Sequence, residues 1–180
     1  MIAGSLAKRY AKALADVAAA SGELEPVARE LAEFAELLRG QRELRQFFAN
    51  PSILTRNKRA AFAEIAGRMG LRTLTATFLR VVLEAGRLGA LDGILRAYEG
   101  LVDERLNRVR AQVTATAPLD PATEQRLRQR LRDRLGKEVV LEVRQNPALL
   151  GGIVTQIGSV VYDGSLQTQL VKLRQELAQG

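Results

Sequence analysis

From residue 4 to residue 108, apolar positions recur at steps of three and four, the spacing of one face of an α-helix. Leu6, Tyr10, Leu14 and Val17 share such a face, flanked by the alanines Ala7, Ala11, Ala15 and Ala18. After Ser21-Gly22 breaks the pattern, Leu24, Val27, Leu31, Phe34 and Leu38 predict a second helix. A short apolar piece at Leu44, Phe47 and Phe48 ends at Asn50-Pro51, because proline disfavours helical conformation in the residue before it. Thr55 is expected to cap a fourth helix, which carries Phe62, Ile65 and Met69 and closes at Gly70. Leu71, Leu74, Phe78, Val82 and Ala85 make a fifth, stopped at Gly86. The sixth and longest series is Leu91, Ile94, Leu95, Tyr98, Leu101, Val102 and Leu106. Six helices with short connections predict an antiparallel bundle.

At Val109 the period changes from 3.6 to 2. Val109, Ala111, Val113 and Ala115 alternate with Arg110, Gln112, Thr114 and Thr116, the pattern of a half-buried strand. Asp120-Pro121 reads as an N-cap with proline at the first helical position, opening a helix with Leu127, Leu131 and Leu135 on one side. A second strand follows at Val139, Leu141 and Val143, and Ile153 to Ile157 with Val160 to Tyr162 suggests two more. Ser165 is expected to cap a final helix carrying Leu166, Leu170, Leu173 and Leu177. The fold class is therefore two-domain: an all-α six-helix bundle over 1–108, then a small α+β domain over 109–180. Composition agrees, since Val, Ile and Thr number 13 in residues 1–108 but 14 in the 55 residues 109–163.

Composition then narrows the chemistry. Among 180 residues there are 27 Lys and Arg against 20 Asp and Glu, a formal charge of +7, and no histidine or cysteine. A Ser-His-Asp triad, a cysteine nucleophile, an imidazole or thiolate metal site and a disulfide are all excluded. No catalytic, cofactor-binding or metal-ligating residues are assigned. The charge is shared, with 17 basic and 13 acidic residues in 1–108 and 10 and 7 beyond. The first ten residues do not read as a secretory signal. The longest uncharged stretch, 145–162, is interrupted by proline, glycine and amide side chains, so no spanning helix is expected. The absence of cysteine is compatible with a reducing cytosol.

Several features invite a functional reading. Arg126, Arg128, Arg130, Arg132, Arg134 and Lys137 form a basic run that would suit a nucleic acid, the alternative function for this chain. They also fall opposite Leu127, Leu131 and Leu135, as a solvated helix face would, and no aromatic is interleaved for base stacking. Leu149-Leu150-Gly151-Gly152-Ile153 lacks the Lys-Ser or Lys-Thr ending of a nucleotide loop and reads as a sharp turn or bulge. Asp103-Glu104 reads as solvated charge. The fifth helix is over-supplied with apolar residues: Val81, Ala85, Phe78, Val82, Leu79 and Leu83 cover about 200°, where a surface helix needs nearer 100°. With the alanine flank of the first helix, that surplus fits equally a central bundle helix with alanines chosen for helix propensity and a groove for an amphipathic helix from a partner.

The order of motifs adds to this. Ala7-Lys8-Arg9-Tyr10-Ala11-Lys12-Ala13-Leu14, Asn50-Pro51 followed by Lys58, Glu84-Ala85-Gly86-Arg87-Leu88, Leu149-Leu150-Gly151-Gly152-Ile153 and Asp163-Gly164-Ser165 together resemble the delta-subunit family of bacterial F-type ATP synthases. The mitochondrial counterpart is the oligomycin-sensitivity-conferring protein. The resemblance runs over essentially the whole chain. It implies a non-catalytic stator protein on the cytoplasmic face of the bacterial plasma membrane, attached to the membrane only through its complex. By resemblance, the N-terminal domain would bind the N-terminal helix of an alpha subunit, and the C-terminal domain would hold the b subunits of the peripheral stalk. Nucleic acid and cofactors have no place in that scheme. The family's groove lies between the first and fifth helices, and by position it maps to Tyr10, Ala13 and Val81. Phe78, Leu79 and Val82 join it from the helical arc. Gly151, Gly152, Asp163, Gly164 and Ser165 are expected to shape the C-terminal domain rather than touch a ligand.

Overall fold

The computed structural model describes residues 2–147, 149, 151–158, 160–166 and 168. The chain divides into two units, 1–102 and 103–180, with the division inside a helix a few residues before the change of period.

The first unit is helical. Its elements are α1 (Ile2–Ser21), α2 (Leu24–Gly40), α3 (Arg42–Ala49), α4 (Thr55–Met69), α5 (Thr73–Glu84), a 3-10 turn (Leu88–Ala90) and α6 (Leu91–Arg105), which runs on past the division. Helix α2 is amphipathic as its spacing predicts, burying Val27, Leu31, Phe34 and Leu38. These meet Leu79, Val82, Ile94, Tyr98 and Val102, all without solvent exposure. At about 1.5–3 kcal/mol for each large side chain removed from water, this core dominates the unit's stability. Phe34 and Phe62 join α2 to α4 edge to face, with ring centroids 5.7 Å apart.

Two polar clasps inside the first unit have no signature in the local sequence. The Tyr98 hydroxyl donates to the Leu24 carbonyl at 3.1 Å. The largely buried Glu30 carboxylate on α2 accepts from the Thr75 hydroxyl, from the Arg72 amide at 3.2 Å and from the Arg72 guanidinium at 3.2 Å. It thereby satisfies backbone and side-chain donors at the start of α5.

Two expectations in this unit are corrected. Helix α1 buries Ala7, Ala11, Leu14, Ala15 and Ala18, while Val17 stands 54% exposed. The alanine flank is thus the inward face, because small side chains let helices approach: a β-carbon placed on Gly93 of α6 would lie 3.5 Å from that of Ala7. Thr55 is the first helical residue of α4 rather than its cap; Leu54 holds the cap position, with no side-chain hydrogen bond. Gly70 does close α4, in left-handed conformation at φ 65°.

The second unit is α+β: β1 (Arg108–Ala115), α7 (Pro121–Leu135), β2 (Glu138–Gln145), β3 (Ile153–Ile157) and β4 (Val160–Asp163). The sheet order is β2-β1-β3-β4. Strands β1 and β2 are parallel, so the chain needs a crossover between them, and α7 supplies it. Strand β3 runs antiparallel to both β1 and β4. The register puts Val109 opposite Val139 and Val113 opposite Thr155. Ala111, Val113, Ala115, Val139 and Thr155 form the buried face, as the period of two requires. Leu127, Leu131 and Leu135 of α7 are half-buried. The start of the expected last helix is seen at Leu166 and Thr168; Leu170, Leu173 and Leu177 lie outside the described residues.

Asp103, expected to be solvated charge, is instead a half-buried acceptor. Its two carboxylate oxygens take the Nε atoms of Arg108 and Arg110, each at 2.6 Å, and Arg110 reaches on to Glu142 at 3.2 Å. The carboxylate ties the end of α6 to the first strand. Glu104 beside it is exposed, because neighbours on a helix diverge by about 100°.

Candidate docking surfaces

On α1, Tyr10, Ala13 and Val17 follow one another at helical spacing, and the structure leaves Ala13 and Val17 exposed and Tyr10 half-buried. On α5 the equivalent series is Phe78, half-buried, Val81, 48% exposed, and then Ala85, exposed just after the helix ends. The Tyr10 and Phe78 rings meet edge to face, 6.3 Å between centroids and 71° between planes, which sets the two helices side by side at that point. Arg87, beyond the Gly86 turn, lies 5.7 Å above the Tyr10 ring and donates to its hydroxyl at 3.3 Å. Tyr10 is therefore held by an aromatic ring and by a cation over its face. Exposed apolar residues are ordinary when scattered. Here they form two stripes, one on each helix, joined by an aromatic pair.

Four of the six expected groove residues, Tyr10, Ala13, Phe78 and Val81, belong to these stripes. Leu79 and Val82 do not: both have no exposure and pack in the core with Thr75 and Leu83. The wide apolar arc of α5 splits into an inward half and an outward half, and these two belong inward. Sequence reasoning missed Val17, because it was assigned to the core, and Arg87, because its partner Tyr10 is 77 positions away. The only signal for Arg87 was its place in the Glu84-Ala85-Gly86-Arg87-Leu88 segment.

In the second unit the glycine pair and the Asp-Gly-Ser turn, separate in sequence, form one cluster. Gly151 and Gly152 have φ of 140° and 90°. The Gly164 amide donates to the Ile153 carbonyl and the Leu166 amide to the Gly151 carbonyl, both at 3.0 Å. Asp163 accepts from the Ser165 amide at 2.8 Å and from the Thr168 hydroxyl at 2.7 Å, while Ser165 Oγ accepts from the Thr168 amide at 3.3 Å. This is a helix-capping arrangement seated on the glycines. Next to it, Val160, Val161, Tyr162 and Leu166 are 51%, 56%, 40% and 48% exposed, and Arg134 of α7 lies 5.6 Å above the Tyr162 ring. Along β4 the side chains alternate, so Val160 and Tyr162 share the face of Thr155 while Val161 lies on the opposite face with Gln156.

Arg126, Arg128, Arg130, Arg132 and Arg134 are all exposed on α7. Some of their charge is used locally, as in Arg132 with Glu138 at 3.5 Å. Among the described residues no group of three or more Asp and Glu could hold a metal ion. No described helix is long and apolar enough to cross a membrane.

Residues 6–177 match the family model described as ATP synthase delta (OSCP) subunit. The chain is 41% identical over 179 residues to the ATP synthase subunit delta of Anaeromyxobacter sp. (strain Fw109-5), covering 99% of this chain and 100% of that one. It is 39% identical over 182 residues to the protein of the same name from Myxococcus xanthus (strain DK1622), again covering 99% and 100%. Its fold resembles a chain in the cryo-EM structure of the Toxoplasma gondii mitochondrial ATP synthase hexamer, with a TM-score of 0.65, 23% identity and coverage of 96% of this chain and 97% of that one.

Proposed function

The chain belongs to the ATP synthase delta (OSCP) subunit family, and from that premise we propose that its helical unit clamps the catalytic head while its α+β unit holds the peripheral stalk. As a member of the family it is a non-catalytic peripheral-stalk subunit of an F-type ATP synthase, and its partners are other subunits of that complex. The head contact is the amphipathic N-terminal helix of an alpha subunit, laid between α1 and α5 with its apolar face on Tyr10, Ala13, Phe78 and Val81. Leu79 and Val82 act from beneath, fixing the position of α5 without touching the partner. The stalk contact is made by the b subunits on the second unit. The assembly works at the cytoplasmic face of a bacterial plasma membrane, and this chain reaches the membrane only through its partners.

The observation that carries this reading is the pair of exposed apolar stripes joined by the Tyr10–Phe78 contact. A stator resists the torque of a rotor, so its contacts must dissociate slowly. An apolar helix in a preformed groove meets that need, because burial supplies the energy and little has to be ordered on this side.

The test is titration of the full chain with a synthetic alpha-subunit N-terminal peptide. Val81→Arg and Ala13→Asp place charges at exposed positions in the stripes. Each should weaken binding by about 2 kcal/mol or more, roughly thirtyfold, as loss of a central interface contact does. Far-UV helicity and cooperative melting should remain. Unchanged affinity in both variants would sink the groove assignment. Binding should also survive moderate salt, whereas a nucleic-acid contact would fall steeply with it.

A further inference from the structure

The helical unit contains a second concavity that shares no residue with the α1–α5 stripes. It lies among α2, α3, the start of α4, the end of α5 and the turn into α6, with a volume of about 470 Å³. Its walls are apolar, with Leu38, Phe48, Pro51, Leu83, Leu88 and Leu91 prominent. At its edge are three cations, Arg39, Arg45 and Lys58, against one carboxylate, Asp92.

The cations are not equivalent. Arg39 is already engaged, 3.1 Å from Glu36 and 3.6 Å from Asp92. Arg45 and Lys58 have no carboxylate partner among the described residues, and Lys58 is half-buried. An ammonium partly withdrawn from water beside apolar walls is costly unless an anion meets it. Two segments singled out in the sequence also meet here: Pro51 and Lys58 from one, Gly86 and Leu88 from the other. The docking stripes use Ala85 and Arg87 from the second segment but nothing from the first.

Size and charge select the occupant. The volume falls within the ~300–1,000 Å³ of small-molecule sites, which pair apolar walls with a few placed polar groups. The excess of cations disfavours a cationic guest and leaves a neutral one without a charged partner. We propose that this cavity binds a free amphiphilic carboxylate, its apolar chain against Leu38, Phe48, Leu83 and Leu88 and its head between Arg45 and Lys58.

The test is calorimetric titration of the full chain with dodecanoate below its micelle concentration. Dodecyltrimethylammonium serves as the cationic control and phosphatidylglycerol vesicles as the anionic-surface control. Saturable one-to-one binding of dodecanoate is expected, with the cationic analogue at least tenfold weaker. The Arg45→Gln, Lys58→Gln double variant should lose at least tenfold in affinity. Neither side chain belongs to the buried core, so the charge variant should fold and its affinity decides the matter. Absence of dodecanoate binding, equal binding of the cationic analogue, or undiminished binding by the double variant would overturn the proposal. Binding to vesicles without binding to free dodecanoate would overturn it too, pointing to a membrane surface instead. Affinity for the alpha-subunit peptide in the same variants reports the docking stripes separately.

Discussion

Gly152 occupies a place that no other residue can fill without moving backbone. At φ 90° it is strained for any side chain, and a β-carbon there would strike the Gly164 carbonyl oxygen and come within 2.8 Å of Ser165 Cα. Neither can retreat cheaply, because Gly164 is bonded to Ile153 and Ser165 begins the capped turn. Gly158, between β3 and β4, has a similar backbone at φ 59° but open space around it. The two positions separate conformational strain from steric conflict. Gly158→Ala should cost only about 1–2 kcal/mol, the left-handed penalty alone. Gly152→Ala adds a clash to that strain and should cost about 3 kcal/mol or more. Urea unfolding of the full chain followed by circular dichroism measures both, and equal losses would remove the steric role of Gly152. Since both glycines lie in the second unit, affinity for the alpha-subunit peptide should stay unchanged in either variant.

Helix α7 shows an element whose start is written in its sequence. Asp120 accepts from the Thr123 amide at 2.8 Å and from its hydroxyl at 2.6 Å, with Pro121 at the first helical position. The Thr123 hydroxyl, then the Thr123 amide, hold the Asp120 carboxyl below the ordinary aspartate value of 3.8, outweighing a small opposing effect of burial. A folded pKa that is depressed means stability present above about pH 3.8 and lost as pH falls through the lower folded value. In thermal melts from pH 6 to pH 3, the difference between wild type and Asp120→Asn should therefore shrink only at the acid end. A constant difference would show that the charge on Asp120 is not what the cap uses. Other elements were less legible, each for a physical reason. The inward face of α1 was misplaced by one flank because alanine is too weakly apolar to mark a core, yet small enough to suit close helix packing against Gly93. In α5 the width of the apolar arc was visible but not its division, since only the neighbouring helices determine that Leu79 and Val82 point inward and Val81 outward. Arg87 on Tyr10, Glu30 on Thr75 and Asp103 on two arginines of β1 depend on contacts between elements, which no period records. The strands, by contrast, followed the alternation of Val109, Ala111, Val113 and Ala115 closely, because one face of the sheet is buried and a slip of one residue would reverse every side chain.

At the scale of the whole molecule, the charge is spread over two units, each with its own exposed apolar residues: the α1–α5 stripes in one, Val160, Val161 and Tyr162 of β4 in the other. A subunit that joins head to stalk needs such an arrangement. If both partners used one surface they would compete, and the connection would break whenever either bound more tightly. Two surfaces on separate units permit simultaneous occupancy, and linkage then requires that any effect of one partner on the other be reciprocal. Neither surface contains residues of the other unit, so the coupling between them should be small. Loading the full chain with a soluble fragment of the b subunits should change its affinity for the alpha-subunit peptide by less than about threefold, below the ~1 kcal/mol at which coupling becomes appreciable. A complex of all three components should then be seen by sedimentation. Val81→Arg should abolish the peptide from that complex and leave the b fragment bound. Displacement of one partner by the other would mean that both occupy the same unit, and the division of labour between the helical and α+β halves would have to be abandoned.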